Sequence, residues 1–213
     1  MRLFFATLLL AFSMSLNAGP LNDANEAYKR GDFIAELELL KPLVESGNPD
    51  ALGGIGGLYA EGKGVDKDLT IAHSYWSRAA EKHHGKSMFM IGTLYTKGEG
   101  GFSKDKSQAA IWYKKAAEHR HEQGMIYLSS IYANGEGLEM NGHLAAAWAF
   151  LAYKITQSEQ SKKIYQKQLS TIASGMSHED LDDVQKIAME LAKLIDANVE
   201  EYRKYQVPIS AYK

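Results

Sequence analysis

A chain of 213 residues with a formal net charge of −2 and no cysteine excludes whole classes of function at once. The near-neutral balance lacks the basic footprint on which nucleic-acid binding rests. The missing cysteine removes disulfide frameworks, thiolate zinc sites and thiol catalysis, and the length suits one domain or one short array of repeats.

Residues 1–18 read as a cleavable secretory leader. Met1 and Arg2 make a positive start, Leu3 to Leu16 an almost unbroken apolar run, and Leu16-Asn17-Ala18 an exit ending in a small residue. The run is shorter than the roughly 20 residues a membrane-spanning helix needs, so a cleaved leader fits better than the alternative, an uncleaved N-terminal anchor. The expectation is a periplasmic or secreted chain with no stable membrane insertion after cleavage. Loss of Arg2 with the leader takes the net charge from −2 to −3.

Past residue 48 the chain matches itself. Ile55-Gly56-Gly57-Leu58-Tyr59 is followed by Gly62-x-Gly64, and the pattern returns as Ile91-Gly92-Thr93-Leu94-Tyr95 with Gly98-x-Gly100. It returns again as Leu128-Ser129-Ser130-Ile131-Tyr132 with Gly135-x-Gly137, so the tyrosines fall 36 and 37 residues apart. Gly101 accounts for the extra residue as a one-residue insertion in the second loop. A period in this range marks stacked supersecondary units. In the first segment of each unit, helix A, apolar residues recur at helical spacing, as in Ile55, Leu58 and Tyr59. Gly56, Gly92 and Ser129 are small enough for a neighbouring helix to approach. The paired glycines permit positive φ and end helix A. Helix B follows as Ala72 to Glu81, Ala109 to Glu118 and Ala145 to Tyr153, with Tyr75, Trp112 and Trp148 at equivalent places and Ala79-Ala80 and Ala116-Ala117 as close-packing stripes. Neither helix buries its apolar face alone, so the units must stack.

These blocks, IGGLYAEGKGVDKDLTIAHSYWSRAAE and IGTLYTKGEGGFSKDKSQAAIWYKKAAE, resemble the Sel1-like repeat, a helix-turn-helix unit related to the tetratricopeptide repeat. The third block departs from the usual Gly-Val-x-Lys-Asp, reading Gly137-Leu138-Glu139-Met140-Asn141. Ala27-Tyr28 through Gly31-Asp32-Phe33 to Lys41-Pro42-Leu43 resembles the opening unit of bacterial members. The resemblance implies an all-α, right-handed solenoid: an N-terminal hairpin at 19–48, repeats at 49–84, 85–121 and 122–155, and capping helices at 156–213. It also implies a non-enzymatic scaffold of the cell envelope that binds a protein or peptide and needs no cofactor.

Beyond Tyr153 the repeat fades. Ser161 to Ile172 is a polar amphipathic helix candidate. Ser177 and Asp180 form an acidic variant of the capping box, and Leu181, Val184, Ile187, Leu191, Leu194 and Ile195 trace one apolar stripe. A C-terminal cap is expected, because exposed solenoid ends require one; a docking helix for a partner is the alternative. The tail Gln206 to Lys213, with Pro208, is expected to be extended or frayed.

Most motifs that look chemical fail on inspection. Gly57 to Lys63 spells most of a phosphate-binding loop, but Gly64 stands where serine or threonine must hold magnesium, and a helix, not a strand, precedes it. Ser103-Lys104-Asp105-Lys106 matches the S-x-x-K of serine β-lactamases without the other two signature triplets, which keeps a hydrolase with an unrecognised site as the alternative function. Asp66 to Thr70 begins like a calcium loop that Ile71 and Ser77 break. His121-Glu122 lacks the second histidine of a zincin, since Met125 stands there. His83-His84 and His119-Arg120-His121 lie at equivalent B-helix ends, where an imidazolium is favoured by the macrodipole. Neighbouring turns of a helical array lie about 8–10 Å apart, which leaves convergence of the two pairs on zinc as the alternative; no acidic or thiol ligand is fixed beside them, and no metal site is assigned.

Positions on the inner A-helix face not needed for packing are candidates for partner contact. They are Gly54, Met90 and Tyr127 in register, then Gly57, Thr93 and Ser130 one turn on, then Glu61, Lys97 and Asn134 at the loop edge, with Met88 and Met125 nearby. Methionine and tyrosine suit adaptable apolar recognition. The alternative is that the C-terminal helices cover this face as core.

Overall fold

The computed structural model describes residues 19–203, with side chains to 198; the expected leader and the expected extended tail both lie outside the described residues. Those residues form ten α-helices and no strand. In chain order they are α1 (Pro20–Arg30), α2 (Phe33–Glu45), α3 (Pro49–Glu61), α4 (Leu69–Ala80), α5 (Gly85–Lys97), α6 (Lys106–Glu118), α7 (Glu122–Asn134), α8 (Gly142–Ile155), α9 (Glu159–Ala173) and α10 (His178–Arg203). Helices α1, α3, α5 and α7 are the A helices, and α2, α4, α6 and α8 the B helices. Each packs on its sequence neighbours, so the array is a solenoid.

The turn inside each repeat is built the same way three times. Gly62, Gly98 and Gly135 cap their A helices at φ +69°, +71° and +69° and donate to Leu58, Leu94 and Ile131 carbonyls. The chain then returns so that Asp68, Asp105 and Asn141 donate their backbone N–H to the carbonyls of Tyr59, Tyr95 and Tyr132 at 2.9, 2.9 and 2.8 Å. The same three residues cap helix B with their side chains, accepting from Thr70 and Ile71, from Gln108 and from Leu144. The departure of the third block costs nothing here, because the Asn141 amide oxygen accepts as a carboxylate does. The second glycine of each loop seats on the preceding unit: an added Cβ would meet Phe33 at Gly64, Leu69 at Gly100 and Lys106 at Gly137. Every loop therefore rests on the start of the previous B helix.

Close approach of A to B depends on the small residues. A Cβ at Gly56 would stand 2.5 Å from the Trp76 indole, and one at Gly92 2.9 Å from the Tyr113 ring. Ser129 holds the third contact by donating to the Ala145 carbonyl at 2.7 Å. The core aromatics of the first two repeats are thus Trp76 and Tyr113, both buried. Their neighbours Tyr75 and Trp112 are only half-buried. Trp148, equivalent to those two by sequence, is buried because α10 supplies Val184, Ala188 and Ile195 to the cluster around it.

The C-terminal helices cap the array. Ser177 N–H donates to the Asp180 carboxylate at 2.8 Å and Asp180 N–H to the Ser177 hydroxyl at 3.2 Å, the reciprocal cap expected from the spacing. Helix α10 packs on α8 and reaches α6, where Asn198 donates to the Glu118 carbonyl at 2.9 Å. Its buried line is Val184, Ala188 and Ile195, with Ile187 and Leu191 packed beside them. Leu181 and Leu194, expected on that stripe, stay exposed at 39% and 42%. Helix α10 lies on the B helices α6 and α8, whereas α9 reaches the A helix α7, with Gln168 donating to the Ile126 carbonyl at 3.3 Å. Among the described residues no helix is long and apolar enough to cross a membrane.

Candidate binding clefts on the A-helix face

Two clefts open between successive A helices. The N-terminal one, about 300 Å³, lies between α1, α2, α3 and α5. Leu21, Leu40, Trp76 and Met90 give it apolar walls, while Glu36, Asp50, Glu61 and Lys86 supply charge. Burial pushes the Glu36 carboxyl up to about 7, the Lys63 ammonium opposing the shift and the Glu61 carboxylate adding to it. Lys63 closes one corner. It pairs with Glu61 at 2.6 Å, donates to the Tyr28 hydroxyl at 3.0 Å, and stands over the Tyr28 and Phe33 rings at 4.6 and 4.9 Å.

The second cleft, about 320 Å³, lies between α5, α6 and α7 and is lined by Thr96, Ala109, Tyr113, Tyr127, Ser130 and Asn134, with Lys104, Lys106 and Glu136 at its mouth. Its wall is an aromatic cluster. Tyr127 packs against Phe89 at 5.4 Å and Tyr113 at 5.0 Å between ring centroids, and Tyr113 shares a 2.9 Å hydrogen bond with Thr96. Tyr127 remains 47% exposed.

The expected contact residues divide accordingly. Met90 lines the first cleft; Tyr127, Ser130 and Asn134 line the second. Ser130 also receives the amide of Gln168 at 3.1 Å, so α9 closes that end. Thr93 is half-buried and donates to the Phe89 carbonyl of its own helix, and Lys97 is exposed beside Glu99; neither lines a cleft. Met88 and Met125 require correction, for both are core, at 4% and 0% exposure. The physical reason is visible in the repeat: they occupy the place of Leu52, itself fully buried, on the side of helix A that meets helix B. Glu36, Phe89 and Tyr113 escaped the sequence reading. A signal for Tyr113 existed, since Trp76 and Tyr113 share one place in the repeat.

His119 and His121 do not act as helix-end cations. His121 lies at the N-cap of α7, where its Nδ1 accepts from Gly124 N–H at 3.2 Å; burial depresses its pKa to about 4. His119 is also depressed, chiefly by burial, and its ring stacks on His83 with 2.9 Å between ring nitrogens. At His119 and His121 the expected imidazolium therefore gives way to a neutral imidazole, because burial disfavours the charged form. A depressed histidine stabilises the fold above its unfolded pKa near 6.5, and that stability is lost as pH falls toward 4. His121→Asn, which keeps an acceptor but cannot protonate, is expected to narrow the loss of stability between pH 7 and pH 5 by about 1–2 kcal/mol. Urea unfolding of both proteins at the two pH values checks it; an unchanged difference would refute the assignment. Among the described residues no three His, Cys, Asp or Glu side chains gather as a metal-ligand set.

The S-x-x-K match gains no support from the geometry. Ser103 lies in the loop ahead of α6, and Lys106 pairs with Glu136 at 3.3 Å on the surface.

Comparison with known proteins agrees with this architecture. The Sel1 repeat family model matches residues 49–84, 85–121 and 123–154. Among solved structures, a Sel1 repeat protein from Oxalobacter formigenes is similar with a TM-score of 0.60 at 23% identity, covering 88% of this chain and 86% of that one. A protective antigen present in uropathogenic Escherichia coli strains, displaying an SLR fold, is similar with a TM-score of 0.50 at 21% identity, over 83% of this chain and 44% of that one. A search of curated proteins finds no match. Sel1 repeats typically serve as protein-interaction scaffolds. With three such repeats stacked in one helical array, this chain is a Sel1-repeat protein.

Proposed function

We propose that this protein is a non-enzymatic scaffold of the cell envelope, periplasmic or secreted, that holds a partner polypeptide along the A helices α3, α5 and α7. Tyr127 carries the reading: an aromatic side chain 47% exposed, braced by Phe89 and Tyr113 on the A-helix face. A pre-braced tyrosine loses little side-chain entropy on contact and buries a large apolar area, which is why tyrosine dominates binding hot spots. The apolar run with its small-residue exit in residues 1–18 supports export.

Selection of a displayed random-peptide library on the purified chain tests the face. Tyr127→Ala is expected to weaken the enriched peptides by at least about tenfold, as loss of a hot spot does, and Met90→Ala by less. Circular dichroism should be unchanged, since neither side chain is fully buried. Absence of any enriched peptide, or equal affinities across the three proteins, would defeat the reading.

A further inference from the structure

We infer that the N-terminal cleft is a pocket for one basic side chain, lysine or arginine, of the bound polypeptide, with Glu36 as its carboxylate partner. The inference rests on the peptide-binding reading above and gives that surface a chemical preference.

Glu36 is the first reason. It is 6% exposed, lines the cleft, and its Oε2 is buried without a hydrogen-bond partner. A buried carboxylate without donors is unfavourable and becomes favourable when a hydrogen-bonding cation arrives. The surrounding charge suits that cation. Asp50 and Glu61 also line the cleft, against Lys86 and His84; Asp50 lies 3.4 Å from His84, and Lys63 turns toward Glu61 and Tyr28. The apolar walls of Leu21, Leu40, Trp76 and Met90 fit the methylene stem that lysine and arginine bury behind their charged heads.

The second reason is independent of charge. Besides Gly56, which meets Trp76, helix α3 carries Gly53, Gly54 and Gly57 in its interior, where glycine weakens a helix relative to alanine. Packing explains the first two: an added Cβ would strike the His84 ring at Gly53 and stand 3.0 Å from Leu40 at Gly54. At Gly57 nothing lies within 4 Å. No neighbour there requires glycine, and the effect of its missing side chain is to leave the cleft open.

The test titrates the purified chain with Nα-acetyl-lysine methylamide and with its norleucine counterpart, which keeps the stem and lacks the ammonium. NMR follows the amides of Gly53, Gly54 and Gly57 and the carboxyl carbon of Glu36. The lysine probe is expected to shift those amides and to lower the Glu36 midpoint from about 7, while the norleucine probe does neither. Glu36→Gln is expected to weaken the lysine probe by at least about tenfold. Gly57→Leu should abolish binding without lowering the melting temperature, because the helix gains a better former in open space. Equal response to the two probes, or full affinity in both variants, would overturn the inference. If the inference alone is wrong, library peptides still bind and still depend on Tyr127; if the face itself is wrong, that dependence is missing.

Discussion

Trp148→Ala is expected to destabilise the protein by about 3–5 kcal/mol, the range for truncating a fully buried tryptophan. Trp148 is 1% exposed and sits in one cluster with Met125 and Leu128 of α7, Tyr165 of α9, and Val184, Ala188 and Ile195 of α10. Its removal leaves a cavity at the joint between the third repeat and the cap. Because a solenoid's stability is a sum of units and nearest-neighbour interfaces, the damage should be local. Hydrogen exchange should show α9 and α10 losing protection first, with α3 to α5 little changed. A uniform loss along the chain would mean that the array unfolds as one unit. Unchanged protection in α10 would mean that this helix is a docking element and no cap.

Gly137→Ala is expected to cost about 3 kcal/mol, against about 1 kcal/mol for Gly135→Ala two residues earlier. Both glycines have positive φ, +94° and +69°, so both substitutions strain the backbone. Only Gly137 also faces backbone: an added Cβ would overlap the Lys106 carbonyl and stand 3.0 Å from the Ser107 nitrogen, whereas at Gly135 the nearest atom is 3.6 Å away. Backbone at a helix start cannot yield as a flexible side chain can. For a domain this size the gap corresponds to a melting-temperature difference of roughly 4–8 °C. Equal melting temperatures for the two variants would refute the seating of each loop on the previous B helix.

The internal repeat makes the architecture legible in the sequence. Gly56, Gly92 and Ser129 read correctly as contact points, and the glycine pairs as turns, because these roles depend on side-chain size and φ alone. The Ser177–Asp180 cap was legible for the same reason, being local. Met88 and Met125 were misplaced because helical spacing puts residues on a face without saying which of two adjacent faces meets helix B; aligning both with Leu52 resolves it. Glu36 was invisible, since an acidic residue on a short amphipathic helix reads as solvent-facing. Only the three-dimensional stacking of α1, α3 and α5 around it closes that site. His121 was misread because its partner, the Gly124 N–H, belongs to the following helix, and the sequence shows nothing of how dry the site is.

The claim that matters most is that the A-helix face binds a polypeptide. Amide shift mapping with an isotope-labelled chain and a library-selected peptide tests it most directly. Perturbations concentrated on α3, α5 and α7, around Gly57, Met90 and Tyr127, are the predicted result. Perturbations concentrated on α4, α6 and α10, with the Tyr127 region silent, would place binding on the opposite side and contradict the account.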